Sequence, residues 1–114
     1  MIIKRGHVYL AALDPVVGRE ISKTRPVVVV SNDLNNTYSG TVSIVPLTSK
    51  NTGKVYPFET LLKKGSADLP KDSKARADQI RTLDKGRLVK HFGELVDAEM
   101  KKIDQAIRIH LDIV

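Results

Sequence analysis

Apolar residues in this chain fall in short runs between turn formers, and one run stands apart. Val27-Val28-Val29-Val30 are four consecutive β-branched residues, stiff at χ1 and better suited to a strand than to a helix. The run has no apolar/polar alternation, which predicts a strand buried on both faces. Arg25 and Pro26 stand at its entrance, where the missing N–H of proline is tolerated. Ser31 and Asn32 close its far end. A permanently cationic guanidinium thus sits at one end of a rigid buried rod, and these residues alone leave open whether it merely meets solvent or works.

The other elements follow from the same kind of pattern. His7–Leu13 reads as a first strand, stopped by Asp14-Pro15. The loop over 16–24, with Gly18 free to take positive φ, carries a concentration of charge: Arg19, Glu20 and Lys23, with Arg25 at its exit. Asn32–Asn36 offers caps and turn formers for a short helical turn. Thr41–Ser49 is a strand interrupted by Pro46, which predicts a bulge or strand end and leaves Thr48 at the sheet edge. Asn51-Thr52-Gly53 predicts a turn. Lys54–Leu62 and Ser73–Leu83 predict strands, the latter with Ala75, Ala77, Gln79 and Arg81 on one face and Arg76, Asp78 and Ile80 on the other. Ser66–Lys71 reads as irregular, and Asp84–Leu88 as one helical turn or a loop before a last strand, Val89–Leu95. A final helix starts at Asp97 as N-cap, with Glu99 in its first turn and a stripe of Met100, Ile103, Ile107 and Leu111 facing the sheet. The expected architecture is mainly β (α+β): a small barrel or strongly bent sheet with a C-terminal helix, formed as one domain over 1–114.

Composition narrows the chemistry. The net charge is +6 and the pI about 9.7, which favours a polyanionic partner. Three Tyr, two Phe and no Trp argue against a broad base-stacking platform of the single-strand-binding kind. Without cysteine, disulfides and thiolate metal sites are excluded. The stretch 1–6 turns polar too soon for a signal peptide, and no apolar run approaches a membrane span, so a cytoplasmic protein with no membrane partner is expected. His7, His91 and His110 are scattered, the acidic residues form no compact set, and no phosphate-binding glycine loop or nucleophile elbow occurs. No metal or cofactor is expected.

What remains is Arg25 beside its charged loop, Thr48-Ser49 after Pro46, and Asp78-Gln79-Ile80-Arg81. Together with Lys4-Arg5-Gly6-x-Val8-Tyr9, Gly18-x-Glu20, Arg25-Pro26-Val27-Val28-Val29, Tyr56-Pro57-Phe58-Glu59 and Thr82-Leu83-Asp84-Lys85-x-Arg87-Leu88, these form an ordered set. In that order and spacing the chain resembles the MazF/PemK toxins of bacterial toxin–antitoxin systems, from about Lys4 to the final helix. The resemblance implies an SH3-like barrel, a homodimer, and metal-independent, sequence-specific cleavage of single-stranded RNA. It carries the family's catalytic Arg and Thr onto Arg25 and Thr48, and RNA contacts onto Glu20, Asn32, Asn36, Ser49, Gln79 and Arg81. Asp78 departs from the Glu common in some relatives, and Val16-Val17 from an aromatic or charged residue. An acidic, MazE-like antitoxin is the implied protein partner.

Elementary chemistry agrees. RNA can be cut by its own 2′-OH attacking the adjacent phosphate, and a planar guanidinium fork suits the charge that develops there. A non-catalytic reading is an inhibitor of DNA gyrase on the same barrel, of the CcdB kind, although the Trp expected near its C-terminus is absent and the chain ends Leu111-Asp112-Ile113-Val114. A basic RNA-binding module without scission is a third.

Overall fold

The computed structural model describes residues 2–114; Met1, the first residue of the polar N-terminal stretch, lies outside them. The elements are β1 (His7–Ala12), β2 (Thr24–Val29), α1 (Asp33–Tyr38), β3 (Thr41–Thr48), β4 (Glu59–Leu62), β5 (Ser73–Arg76), β6 (Arg81–Asp84), β7 (Leu88–Glu94) and α2 (Asp97–Leu111). Three-residue 3₁₀ turns stand at Ser66–Asp68, Ala77–Gln79 and Lys85–Arg87.

The valine strand is buried on both sides, as its lack of alternation predicts. Val27, Val28 and Val29 are each 0% exposed. Val27 and Val29 pack with Tyr9, Ala11, Leu13 and Ile44 on one face. Val28 packs with Val8, Val45, Leu47 and Ile103 on the other, beneath α2. Burying each valine contributes about 1.5–3 kcal/mol, so β2 holds two cores together.

Every strand pairing is antiparallel, in the order β4-β5-β3-β2-β1-β7 with β6 also beside β3. The end strands β4 and β7 do not pair, so the sheet bends strongly without closing into a complete barrel. The Ser66–Asp68 turn packs against β7. A Cβ on Gly93 would stand 2.8 Å from the Ala67 backbone, so glycine is what lets the turn approach.

β3 is the pivot. Its residues Thr41–Ile44 pair with β6, whereas Leu47 and Thr48 pair with β5. Pro46 lies between those two ladders and pairs across from Val27 on the other edge. The strand therefore runs through the proline instead of ending or bulging there, and it is the neighbour that changes.

The expected Ser73–Leu83 strand breaks for the same reason. Ala75 opposes Leu47 and Arg81 opposes Ile44, so six residues must span three on β3. The excess is taken up by the 3₁₀ turn Ala77–Gln79, which cancels the simple alternation of faces. Of the expected Lys54–Leu62 strand only Glu59–Leu62 pairs.

Asn51 takes φ +55° at its turn, a conformation asparagine tolerates. The N-cap of α2 is Val96 rather than Asp97, and the Glu99 carboxylate accepts from the Val96 N–H at 3.1 Å. Valine has no side-chain acceptor, so only this half of a capping box forms. Met100 and Ile103 are buried and Ile107 packs against them, whereas Leu111 is exposed.

His7 lies at the start of β1, its ring 4.9 Å from that of His91, with Glu94 3.4 Å from Nε2. Burial is the main cause holding its pKa below 6.5, opposed by the Glu94 carboxylate and assisted by any charge on His91. The unfolded chain therefore takes up this proton more readily than the folded one. The stability from neutral His7 is full above pH 6.5 and is lost as the pH falls below it. The melting temperature should drop between pH 7 and about 5.5. His7→Gln should flatten that drop, and an unchanged slope would contradict the assignment.

Candidate functional site

Strand register assembles the site. Directly opposed residues of antiparallel strands present their side chains on the same face. Thr48 opposes Lys74 across β3 and β5. The β2–β3 register, Val27 against Pro46, continued by two residues sets Arg25 opposite Thr48. Arg25, Thr48 and Lys74 thus form a row across three neighbouring strands. All three line one cavity of about 230 Å³, together with Glu20, Ser22, Lys50, Asn51 and Arg76.

Arg25 is half-buried, and its Nε donates to the Ser22 carbonyl at 2.7 Å. Among the described residues no carboxylate pairs with it and no acceptor takes its two terminal nitrogens. One bond sets the guanidinium plane, and the fork is left free. Thr48 Oγ1 accepts from the Lys50 N–H at 3.2 Å, which leaves the hydroxyl hydrogen to donate elsewhere.

The neighbouring cations differ. Lys74 is 5% exposed, and its Nζ donates to Glu59 Oε1 at 3.0 Å and to the Lys54 carbonyl at 3.1 Å. Arg76 stands 3.5 Å from the other Glu59 oxygen and binds Asp78 through both Nε and a terminal nitrogen. The Asp78 hydrogen bonds are the chief cause raising the Arg76 pKa above its ordinary value. Lys74, Arg76, Glu59 and Asp78 neutralise one another. The Arg25 charge is not offset in this way.

The other sequence candidates spread over several places. Glu20 lines the cavity, its carboxylate accepting from the Val17 N–H at 2.5 Å within the charged loop. Ser49 follows Thr48 and faces away from it, lining an adjoining hollow of about 340 Å³ that also includes Arg25. Gln79 and Arg81 fasten the β1–β2 loop: Gln79 Oε1 accepts from the Ile21 N–H at 3.2 Å, and Arg81 donates to the Leu13 carbonyl at 3.2 Å. Asn32 caps α1, its Oδ1 accepting from the Asn35 N–H, and lines a separate hollow beside α2 with Arg5 and Arg108. Asn36 is 2% exposed, with its amide bonded to Ser31 and Asp33. Seven residues along an extended chain separate Asn32 from Arg25, on the order of 20 Å. The structure brings Glu20, Arg25, Thr48 and Ser49 to one end of β2 and leaves Asn32 and Asn36 at the other.

Sequence reading did not select Lys74, Glu59, Lys50 or Arg76. The parity of Lys74 and Arg76 on a strand was available. The pairing of β4 with β5, which sets Glu59 opposite Arg76, was not. Among the described residues no three His, Asp or Glu side chains lie close enough together to hold a metal ion. No helix among them is long and apolar enough to cross a membrane.

Comparison with known proteins bears on this geometry. The chain is 40% identical to the endoribonuclease MazF9 of Mycobacterium tuberculosis, covering 98% of each. It is 41% identical to the endoribonuclease MazF of Staphylococcus saprophyticus, over 98% of this chain and 93% of that protein. Among solved structures it resembles MazF of Deinococcus radiodurans, with a TM-score of 0.85, 25% identity and 99% of each chain covered. It also resembles an endoribonuclease in complex with its cognate antitoxin from a mycobacterial species, with a TM-score of 0.81, 27% identity and coverage of 98% and 97%. The family model of PemK-like, MazF-like toxins matches residues 4–111, and with an open Arg25 fork facing Thr48 across a bent antiparallel sheet, the chain belongs to that family of type II toxin–antitoxin toxins.

Proposed function

We propose that this toxin is an endoribonuclease that cleaves single-stranded RNA without a metal ion. The observation that carries the reading is the uncommitted Arg25 fork in one cavity with the Thr48 hydroxyl, in a chain 40% identical to a named endoribonuclease. In the reaction the ribose 2′-oxygen attacks the adjacent phosphorus and loses its proton. The bond from phosphorus to the 5′-oxygen breaks, and that oxygen takes up a proton. The products are a 2′,3′-cyclic phosphate and a 5′-OH end.

A guanidinium is a donor and not a base, so the part of Arg25 is to bind phosphoryl oxygens with two parallel N–H donors as negative charge builds. Thr48, oriented by Lys50, donates to the same phosphate. Lys50 adds positive charge at the cavity wall. Glu20 borders the phosphate position, Ser49 lines the adjoining hollow that Arg25 also reaches, and Gln79 and Arg81 hold the loop that carries Glu20. In this reading Asn32 reads a base only if the RNA extends to the far end of β2, and Asn36, buried with its amide bonded to Ser31 and Asp33, holds that end in place.

An acidic antitoxin segment lying over the same cations is the partner chemistry that the net charge of +6 favours. A similar endoribonuclease has been solved with its cognate antitoxin. A homodimer, as the family resemblance implies, would cover some of the exposed apolar side chains, among them Ile109 and Leu111 of α2. RNA cleavage places the work of this toxin in the cytoplasm.

The test is direct. Purified protein incubated with a mixed-sequence RNA in EDTA should cut at a short recurrent motif and leave 5′-OH ends. The DNA version of the best substrate should survive, because it has no 2′-OH. Cleavage that requires Mg²⁺, or inhibition of DNA supercoiling with RNA untouched, would overturn the proposal.

A further inference from the structure

A second hollow, of about 440 Å³, adjoins the Arg25–Thr48 cavity and shares Asn51 and Lys74 with it. Its wall includes Tyr56, whose ring is half exposed in a chain with few aromatic residues. Two of those few are placed together: Tyr56 and Phe58 stack in parallel, centroids 5.6 Å apart and planes inclined by 2°. Such a pair fixes the orientation of the outer ring.

The segment carrying Tyr56 is not a strand, yet it is held at four points. The Tyr56 N–H donates to Glu59 Oε1 at 3.0 Å, and its carbonyl accepts from the Glu59 N–H at 2.8 Å. The Lys54 carbonyl accepts from Lys74 Nζ at 3.1 Å, and the Phe58 carbonyl from the Ala77 N–H at 3.1 Å. Two of these ties end on the side chains of the buried Lys74–Glu59 ion pair, which borders the Arg25 cavity. The ring is therefore fixed relative to the phosphate position before any RNA arrives. The ammonium groups of Lys54 and Lys74 lie 5.1 and 5.9 Å from its centroid.

We propose that Tyr56 is a nucleobase-stacking subsite beside the scissile phosphate. One base flanking the cut lies on the Tyr56 ring, and Lys54 swings from the ring to the phosphate next to that base. This rests on the endoribonuclease reading above and adds to it a grip on a particular nucleotide. An aromatic face beside cations alternates the two chemistries of a single strand, flat base and charged phosphate. Stacking accepts any base, so the subsite serves binding and alignment, not sequence choice.

The experiment is a chemical double-mutant cycle. A short RNA with a mapped cut is made with the base deleted, one position at a time, on either side of that cut. For the wild type, one abasic position should lower kcat/KM by about tenfold or more. Tyr56→Leu should lower kcat/KM on the intact RNA by a similar factor and become indifferent to that abasic position. Tyr56→Phe should keep the response. A general loss of folding would not single out one nucleotide. For a readout independent of any variant, photoactivatable thiouridine at that position should crosslink to Tyr56.

Equal losses in wild type and Tyr56→Leu at every abasic position, or crosslinks only elsewhere, would overturn the subsite, and a Tyr56 that serves only antitoxin contact gives that outcome. A wild type that cleaves no RNA at all would instead sink the endoribonuclease reading and take the subsite with it.

Discussion

Arg25→Ala is expected to lower RNA cleavage by roughly a hundred- to a thousandfold, the loss typical of removing one preorganised donor from a developing oxyanion. The folded state should survive. The side chain is half-buried, and among the described residues its one internal bond runs from Nε to the Ser22 carbonyl. Arg25→Lys keeps the charge but not the fork, and a point charge cannot bind two phosphoryl oxygens in parallel. It should therefore fall between wild type and alanine. Single-turnover cleavage of one RNA, with melting curves recorded on the same samples, checks both parts. A variant within threefold of wild type would remove Arg25 from the chemistry. A variant inactive because it has unfolded would make it a structural residue.

The second large effect is on stability. Glu59→Ala leaves the Lys74 ammonium, only 5% exposed, without its carboxylate. Removing one partner of a buried pair costs roughly 3–5 kcal/mol, because the remaining charge stays desolvated. That is a large share of the roughly 5–15 kcal/mol typical of a folded domain. The denaturation midpoint in urea should fall steeply with its slope little changed. Replacing both partners, as Glu59→Leu with Lys74→Met, should recover most of the loss, since an apolar pair needs no solvation.

Cleavage should not recover with it. The Tyr56 segment hangs from Glu59 Oε1 and Lys74 Nζ, and both ties are gone in the double variant. Glu59→Ala costing less than about 1 kcal/mol would mean that water already solvates the pair, and the pair would no longer count as a rigid mount.

Elements whose pattern depends only on near neighbours were legible. The valine run announced a two-faced strand because burial on both sides removes alternation, and Val27, Val28 and Val29 are fully buried. The apolar stripe placed Met100 and Ile103 under α2, but overran at Leu111, which the helix carries into solvent. The 77–79 break was not legible. It arises because β5 and β6 share one partner strand at registers three residues too close for a continuous strand. Local alternation carries no trace of that constraint.

The candidate site divides along the same line. Residue type and the ordered family motifs picked out Arg25, Thr48 and Glu20, and they line one cavity. The same reasoning grouped Asn32 and Asn36 with them, yet one caps α1 and the other is buried behind it. An asparagine suited to a base edge is equally suited to a turn, and only its surroundings separate the two uses.

By itself, then, the sequence determined a basic, cysteine-free chain built on one doubly buried strand, with a guanidinium at its mouth. Those are properties of residue type and short-range order. Tertiary structure alone decided that Lys74 completes the row beside Arg25 and Thr48, and that Glu59 neutralises it. It also decided that Tyr56 is held over the adjoining hollow. Each of these depends on which strands pair and in what register. Strand pairing is a non-local choice, and a shift of one residue would turn every one of those side chains to the opposite face.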